Sequence, residues 1–199
     1  IQSYFPWHCT FLNDANAGAF AEGIGSDLPS SFFYLSLSNT VGGAIFHDGN
    51  LLPGDAFRCG EAGHMTLIPG GRPCYCGKTG CVDSYCSARL LSDLSGGRLK
   101  DFFRELQQNN REYRPVWDTY LKHLAVVINN LHMILDYDIV LGGYVGSFLT
   151  PWLDTIRHLV SERNTFEDDG SFVKLCTYQT GAAAYGAAMD VMEEFLRTV

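Results

Sequence analysis

Apolar residues along this chain fall into short strand-like runs separated by longer segments with helical spacing. Residues 32–38 (FFYLSLS) and 41–47 (VGGAIFH) are apolar and rich in strand-forming residues. The Asn39-Thr40 pair between them predicts a hairpin or a strand–loop–strand unit. Two further strands are predicted at 138–143 and 172–177.

Helical spacing covers much of the remaining chain. Residues 12–23 predict a helix capped by Asn13 or Asp14, because short polar side chains accept hydrogen bonds from the free N–H groups of a first turn. Residues 115–135 carry apolar side chains along one face, as an amphipathic helix does. Further helices are predicted at 82–94, 98–109, 151–162 and 181–197. Strands and helices alternate in the second half, so the fold class is α/β, with mixed α+β as the alternative.

Residues 48–81 form the longest segment that fits neither pattern. Their glycine and proline content is too high for a helix or a long strand. A loop of this length is usually functional or held in place by another group. Residues 164–171 (NTFEDDGS) are the best candidate for a second flexible segment.

Composition narrows the class of protein. The chain has 199 residues, enough for one large domain or a domain and a half, and 46% of them are hydrophobic, as in an ordinary globular protein. We expect no membrane span and no signal peptide, because long apolar runs and a basic leader are lacking. The formal net charge of −8 disfavours direct nucleic-acid contact, since binding to phosphate relies on Lys and Arg.

The cysteines indicate a reducing compartment and a metal. Their number, seven, is odd, which disfavours a disulfide framework and favours a cytoplasmic protein. Four of them, Cys9, Cys59, Cys86 and Cys176, have no metal-ligand neighbours in the sequence, so we expect them to be small buried hydrophobic residues.

The other three cysteines lie within the glycine-rich loop, downstream of a histidine. Three thiolates and one imidazole are a structural zinc set that leaves no coordination position open, so we predict a metal with no direct part in chemistry. Such an ion would also order the loop. The predicted ligands are His64, Cys74, Cys76 and Cys81.

Glu61 precedes His64 by three residues and completes a possible binding group. If one ring nitrogen of His64 binds the metal, the other is held in a fixed direction and can face a ligand. A carboxylate beside an oriented imidazole suits sugar hydroxyls, which need an acceptor and a partner that can donate or accept. The plain alternative for Glu61 is a solvated loop carboxylate.

These motifs resemble those of the ROK family, which comprises bacterial sugar kinases and sugar-responsive transcriptional repressors. The main segment is GEAGHMTLIPGGRPCYCGKTGCVDSY, residues 60–85. It carries Gly-Glu-x-Gly-His followed by Cys-x-Cys-Gly-x-x-Gly-Cys and an acidic residue. The resemblance extends to FLNDANAGAFAEG at 11–23, VLGGYVG at 140–146 and GAAAYGAA at 181–188, and so spans nearly the whole chain.

The resemblance implies roles for individual residues. Asp14 matches the general base, and Asn13 matches its sugar-contacting neighbour. Glu61 and His64 match ligands of sugar hydroxyls, and Asp83 occupies the position of a sugar-binding Glu. The zinc ligands also match. By residue type alone, Asp14 would more readily be interpreted as a helix cap, and the two roles are compatible.

Nucleotide contacts are implied in two places. Thr40, Gly42 and Gly43 lie in the segment that corresponds to a glycine-rich phosphate loop. Gly142 and Gly143 lie in the stretch that corresponds to the adenosine side of the nucleotide. The expected cofactors are therefore structural Zn²⁺, together with ATP and Mg²⁺ if the protein is a kinase.

The implied fold is the actin-like ATPase architecture, with ribonuclease H-like α/β lobes around a cleft. We expect residues 1–199 to be the C-terminal lobe, with 48–81 as its zinc-binding loop and with the N-terminal lobe and its Asp-x-Gly-x-Thr loop absent. The chain departs from the family pattern at Ser38-Asn39-Thr40, where two phosphate-loop glycines are replaced. Asp83 is also one methylene shorter than Glu.

Two functions follow from the resemblance. The first is the sugar-binding lobe of an ATP-dependent, hexose-type kinase, inactive by itself because half of the cleft is missing. The second is the sugar-sensing effector domain of a repressor without kinase activity. The intact Asn13-Asp14 pair favours the kinase, and the altered 38–40 segment favours the sensor. Either protein is expected to be a homodimer that binds a small sugar.

Overall fold

Five strands form one sheet in the computed structural model, which describes Tyr4, Pro6, Trp7 and residues 9–198. The first predicted pair is confirmed as β1 and β2, joined by the tight turn at 38–40. The strands are β1 (Phe32–Leu37), β2 (Val41–His47), β3 (Asn50–Leu51), β4 (Asp138–Gly142) and β5 (Val173–Leu175).

The sheet is mixed, with strand order β3-β2-β1-β4-β5. The β1–β2 and β2–β3 pairs are antiparallel, and the β1–β4 and β4–β5 pairs are parallel. The register of the central pair places Ser36 of β1 beside Gly142 of β4. The carboxyl ends of these two strands therefore lie at the same edge of the sheet, where ligands bind in open α/β folds.

Eight α-helices surround the sheet in the described part of the chain. They are α1 (Asp14–Gly25), α2 (Asp83–Cys86), α3 (Ala88–Ser92), α4 (Leu99–Gln107), α5 (Tyr113–Leu135), α6 (Gly143–Gly146), α7 (Leu153–Ser161) and α8 (Ala182–Leu196). The single helix predicted at 82–94 is wrong. Ser87 has extended backbone angles and separates α2 from α3.

The central strand β1 separates two apolar cores, because successive side chains of a strand point to opposite faces. Phe33, Leu35 and Leu37 belong to the larger core, which includes α5 and α7. Phe32 and Tyr34 belong to the smaller core, which α1 and α8 cover. All six residues of β1 are buried, as expected of a strand covered on both faces.

Two of the four remaining cysteines are buried as predicted. Cys86 and Cys176 are buried, whereas Cys9 and Cys59 are only partly buried, so the prediction is wrong for that pair. Cys9 and Cys59 lie in irregular segments, where a side chain has fewer neighbours to cover it. None of the helices described is long and apolar enough to cross a membrane.

The segment at 48–81 is mostly irregular, as predicted. Within it the structure has the short strand β3 and a 3-10 turn over Ala62–His64. Two isolated bridges, Thr66 with Cys81 and Pro73 with Thr79, fold the segment back on itself. The cysteine-containing part of the loop is therefore a compact hairpin-like unit.

Candidate functional site

The first residues of β2 lie at the centre of the candidate site. The backbone N–H of Val41 donates a 2.6 Å hydrogen bond to Oδ1 of Asp83. A Cβ added to Gly42 would lie 3.3 Å from Cβ of Ala15, in the first turn of α1. A Cβ added to Gly43 would lie only 2.6 Å from the carbonyl oxygen of Gly60. The strand thus brings the start of α1, the glycine-rich loop and α2 together.

Asn13, rather than Asp14, is the N-cap of α1. Its Oδ1 accepts hydrogen bonds from the backbone N–H groups of Ala15 and Asn16, at 2.9 and 3.4 Å. Asp14 is the first helical residue and is exposed, although its Oδ1 also lies 2.9 Å from the Ala15 nitrogen. The second carboxylate oxygen of Asp14 therefore remains available at the helix start.

Asp14 lines a small cavity of about 110 Å³ at the carboxyl ends of β1 and β4. The cavity also contains hydroxyl groups, among them those of Ser36 and Ser38, whose Oγ atoms are 3.2 Å apart. Gly143 also lines the cavity. The other lining residues are Tyr34, Tyr144, Gln179, Thr180, Ala182 and Ala183.

Glycine is required at the turn between β4 and α6. Gly143 has a φ of +76°, and a Cβ there would lie 2.7 Å from the Leu37 nitrogen and the Ser38 hydroxyl. At Gly142 an added Cβ would collide with the ring of Tyr34. These two positions therefore allow the backbone to approach β1 closely beside the cavity, and any contact with a nucleotide at this point remains a prediction.

Gly42 and Gly43 have packing contacts in the structure. Gly42 faces α1, and Gly43 faces the ring of Phe33 and the backbone of Gly60. Thr40 is exposed in the turn before them. The phosphate contacts predicted for Thr40, Gly42 and Gly43 therefore remain predictions.

The four predicted metal ligands meet at one point. A ring nitrogen of His64 and the sulfurs of Cys74, Cys76 and Cys81 lie within 4.8 Å of one another. Zinc–thiolate bonds of about 2.3 Å in a tetrahedral site place neighbouring sulfurs roughly 3.8 Å apart. The Sγ atoms of Cys76 and Cys81 are 3.7 Å apart. This donor set and spacing fit a structural zinc ion.

Without a bound cation, the pKa values of two of these thiols are shifted in opposite directions. Burial raises the pKa of Cys81 to about 12. The backbone N–H of Lys78 lowers the pKa of Cys76. A bound cation would favour thiolate at both positions, because a coordinating thiol loses its proton. Of these two thiols, Cys81 would undergo the larger fall in pKa on binding a cation.

Sequence reasoning missed Tyr75, which lies between two of the cysteines. Its hydroxyl is 3.2 Å from Nε2 of His64. Burial raises the pKa of Tyr75, and the negative charges of Asp83, Cys74 and Glu61 add to that increase. The Tyr75 hydroxyl therefore contacts His64 and is influenced by the charges of Glu61 and Asp83, the residues predicted to bind sugar.

Asp83 is buried at the start of α2 and has a structural contact that the sequence did not predict. Oδ1 of Asp83 accepts a hydrogen bond from the Val41 N–H, and this bond holds α2 against β2. The other carboxylate oxygen is not part of that bond. Its reach to a sugar hydroxyl remains a prediction.

Comparison with known proteins is decisive at this point. The family model described as "ROK family" matches residues 1–194 of the chain. The chain belongs to the ROK family. The resemblance drawn from the residue motifs is thereby confirmed.

The curated relatives of this ROK chain include kinases of one amino sugar. The N-acetylmannosamine kinase of Escherichia fergusonii is 32% identical over an alignment of 194 positions, which covers 93% of this chain and 65% of the relative. That of Salmonella typhi is 30% identical over an alignment of 188 positions, which covers 89% of this chain and 62% of the relative. The chain thus spans about two thirds of the length of these relatives, or slightly less.

Solved ROK structures share the fold. The ROK hexokinase from Thermus thermophilus has a TM-score of 0.75 and 25% identity, covering 92% of this chain and 65% of its own. A Streptomyces griseus ROK glucokinase, solved with glucose and AMPPNP, has a TM-score of 0.73 at 21% identity, covering 94% and 69%. A ROK transcriptional regulator homologous to the E. coli MLC protein has a TM-score of 0.71 at 22% identity, covering 89% and 50%.

Proposed function

We propose that this chain is the sugar-binding lobe of an ATP-dependent sugar kinase, with Asp14 as the general base. The observation that carries the proposal is the hydroxyl of Tyr75, which lies 3.2 Å from Nε2 of His64 and within the electrostatic influence of Glu61 and Asp83. In this proposal a sugar hydroxyl would take the position of the Tyr75 hydroxyl. The same three side chains can hold a polyol by giving it both acceptors and a two-way partner.

Zinc at His64 and the three cysteines would supply geometry rather than chemistry. The four-ligand set leaves no open position for a substrate, so the ion would act as a structural element. Its role would be to fix the direction of the His64 ring and to keep Glu61 beside it. This explains why a glycine-rich loop can present a precise binding group.

In this proposal Asp14 would accept the proton of the reacting sugar hydroxyl. A sugar hydroxyl is a weak nucleophile, and a carboxylate within hydrogen-bond reach takes its proton as the phosphoryl group is transferred. Asp14 is exposed and lines the small cavity, and Asn13 is the N-cap of α1, so one carboxylate oxygen of Asp14 remains for another partner. ATP with Mg²⁺ would supply the phosphoryl group, and Ser36, Ser38 and the Gly143 backbone would line its approach.

We propose a hexose-type sugar as the substrate. The relatives named N-acetylmannosamine kinase make N-acetylmannosamine the first sugar to test. Glucose is second, because the S. griseus neighbour was solved with it. Both are hexose-type rings that offer adjacent hydroxyls to Glu61 and His64.

A second candidate is the effector domain of a sugar-sensing repressor. The replaced glycines at 38–40 favour it, and a ROK transcriptional regulator shares the fold. Such a protein would retain the sugar contacts without phosphoryl transfer. The two candidates therefore assign different roles to Asp14 and to the turn after β1, but both place the sugar at the same site.

A coupled ADP-release assay on the full-length gene product separates the candidates. For a kinase, ADP forms only when N-acetylmannosamine or another hexose is added. Replacement of the base in Asp14→Asn should lower kcat by about 10² to 10⁴-fold. Sugar binding measured by calorimetry should change little, because Asn13 preserves the helix start.

Asp27→Asn is the matched control, since Asp27 is exposed in the segment after α1. That variant should retain full kcat. A wild-type protein that binds sugar and releases no ADP would contradict the kinase proposal and support the sensor. An Asp14→Asn variant with normal kcat would remove Asp14 from the mechanism.

A further inference from the structure

A second group of possible metal ligands lies near the amino-terminal end of β4, at the opposite end of that strand from the cavity that Asp14 lines. His132 is in the last turn of α5, Asp136 ends that helix, and Glu167 lies in the 164–171 segment. One ligand atom from each residue lies within 4.8 Å of the other two. From the chain order alone these residues would not be grouped, because 35 positions separate His132 from Glu167.

Both ring nitrogens of His132 face oxygen atoms that accept hydrogen bonds. Nδ1 is 2.8 Å from the carbonyl oxygen of Tyr137, which can only accept, so Nδ1 carries a proton. Nε2 lies 3.2 Å from Oε2 of Glu167, and because a carboxylate also only accepts, a cation at this point would replace the proton between the two atoms. A backbone carbonyl on the second nitrogen is the usual support of a metal-binding histidine.

The ring of His132 is also held rigidly. It is buried and stacks on Phe172 with ring centroids 3.6 Å apart and planes 6° apart. Glu167 is fixed through its backbone N–H, which donates to Oδ1 of Asn164 at 2.9 Å. The nitrogen and one carboxylate are therefore positioned before any cation binds, which limits the entropy lost on binding.

The surroundings carry excess negative charge. Asp136 and Glu167 face the buried imidazole, and Asp138 lies close enough to His132 to interact with it. Lys174 is 3.9 Å from Asp138 and offsets part of that charge. The carboxyl end of α5, a helix of 23 residues, adds a partial negative charge at the same place.

We propose that His132, Asp136 and Glu167 bind a divalent first-row transition cation. One imidazole nitrogen and two carboxylate oxygens suit such ions better than Ca²⁺ or Mg²⁺, which prefer oxygen alone. Water would complete the coordination, because Asp136 is exposed to solvent. The bound ion would fasten the 164–171 segment to the end of α5. This site is separate from the thiolate cluster and does not depend on the proposed kinase activity.

Cobalt(II) titration of the untagged, metal-stripped chain tests the proposal. Cobalt bound by thiolates has sulfur-to-metal charge-transfer absorption, whereas cobalt bound by nitrogen and oxygen lacks it. We expect about two Co²⁺ per chain by elemental analysis, one of which gives the charge-transfer band. Co²⁺ should also slow amide exchange across 164–171.

Glu167→Gln keeps the side-chain shape and removes the ligand charge. It should lower the affinity for the second Co²⁺ by at least about 100-fold, leave the thiolate band intact and abolish the slower exchange at 164–171. Asp136→Asn should act in the same direction. It is expected to fold, because Asn tolerates the left-handed conformation that Asp136 adopts with φ of 56°.

Glu162→Gln is the matched control, because Glu162 pairs with the exposed His158 at 3.6 Å in the same region. That variant should bind two Co²⁺. The proposal is overturned if the wild type binds a single Co²⁺ with a full thiolate band, which would leave His132 and Glu167 as an ordinary ion pair. It is also overturned if both ligand variants still bind two.

Discussion

At the scale of single residues, Tyr75 makes the contact that bears most directly on the proposed sugar site. Its hydroxyl lies on Nε2 of His64, and an incoming sugar hydroxyl would have to displace it. The cost of displacement is that of one hydrogen bond, about 1 kcal/mol. Tyr75 is two-thirds exposed, so its ring can move aside.

Tyr75→Phe should therefore raise sugar affinity about fivefold, because the competing hydroxyl is removed. Calorimetric titration of the full-length protein with N-acetylmannosamine measures this. Tyr4→Phe is the control, since Tyr4 is 86% exposed and outside the site, and its affinity should equal that of the wild type. Weaker binding by Tyr75→Phe would show that Tyr75 binds the sugar itself.

Residue chemistry explains why some contacts could be predicted and others could not. The grouping of His64 with Cys74, Cys76 and Cys81 follows from short spacing within one loop. The pairing of His132 with Glu167 depends on how α5 and the 164–171 segment are placed around the sheet, which local spacing does not encode. Ser36 offered a weak signal, as a polar residue in an otherwise apolar strand.

At the scale of elements, α1 and α8 pack at unusually close range. A Cβ added to Gly186 of α8 would lie 1.7 Å from the carbonyl oxygen of Ala17 in α1. Glu22 of α1 fixes the segment before α8, since Oε1 accepts from the Tyr178 N–H and from the Cys176 thiol, each at 3.0 Å. Small residues at this crossing let the two helices cover the same face of the sheet.

Gly186→Ala should lower the free energy of unfolding by about 1 to 3 kcal/mol, because the helices must separate to admit the methyl group. Helix propensity alone predicts the opposite sign, a gain of about 1 kcal/mol. Urea unfolding followed by circular dichroism measures the difference. Ala187→Gly, at an exposed position of α8, should cost about 1 kcal/mol through propensity. Stabilisation by Gly186→Ala would contradict the close packing.

The limits of the helices and strands show where the apolar pattern of the sequence predicts structure correctly. The strands β1, β2 and β4 and the long helix α5 were predicted within a few residues, because their apolar patterns are strong. The break at Ser87 was not predicted, because residues 82–94 keep helical spacing across it. The carbonyl oxygen of Ser38 accepts a hydrogen bond from the Ala88 N–H at 2.7 Å, a tertiary contact at the start of α3.

At the scale of the whole molecule, the sheet separates two candidate sites. The carboxyl ends of β1 and β4 adjoin the cavity that Asp14 lines. The glycine-rich loop and α2 both contact the start of β2 near that end of the sheet. The His132 group lies at the other end of β4. ROK membership is shown, whereas the function of the first site, the homodimer and the N-terminal lobe remain predictions.

The kinase and sensor proposals share one feature, a metal-held loop that directs His64 at a sugar. Calorimetric titration of the full-length protein with N-acetylmannosamine, before and after chelation and with Zn²⁺ restored, tests it directly. Cys59→Ser, which alters a cysteine outside the cluster, should behave as the wild type. We predict at least about tenfold weaker binding without metal and full recovery with Zn²⁺. Equal affinity with and without metal would contradict the account.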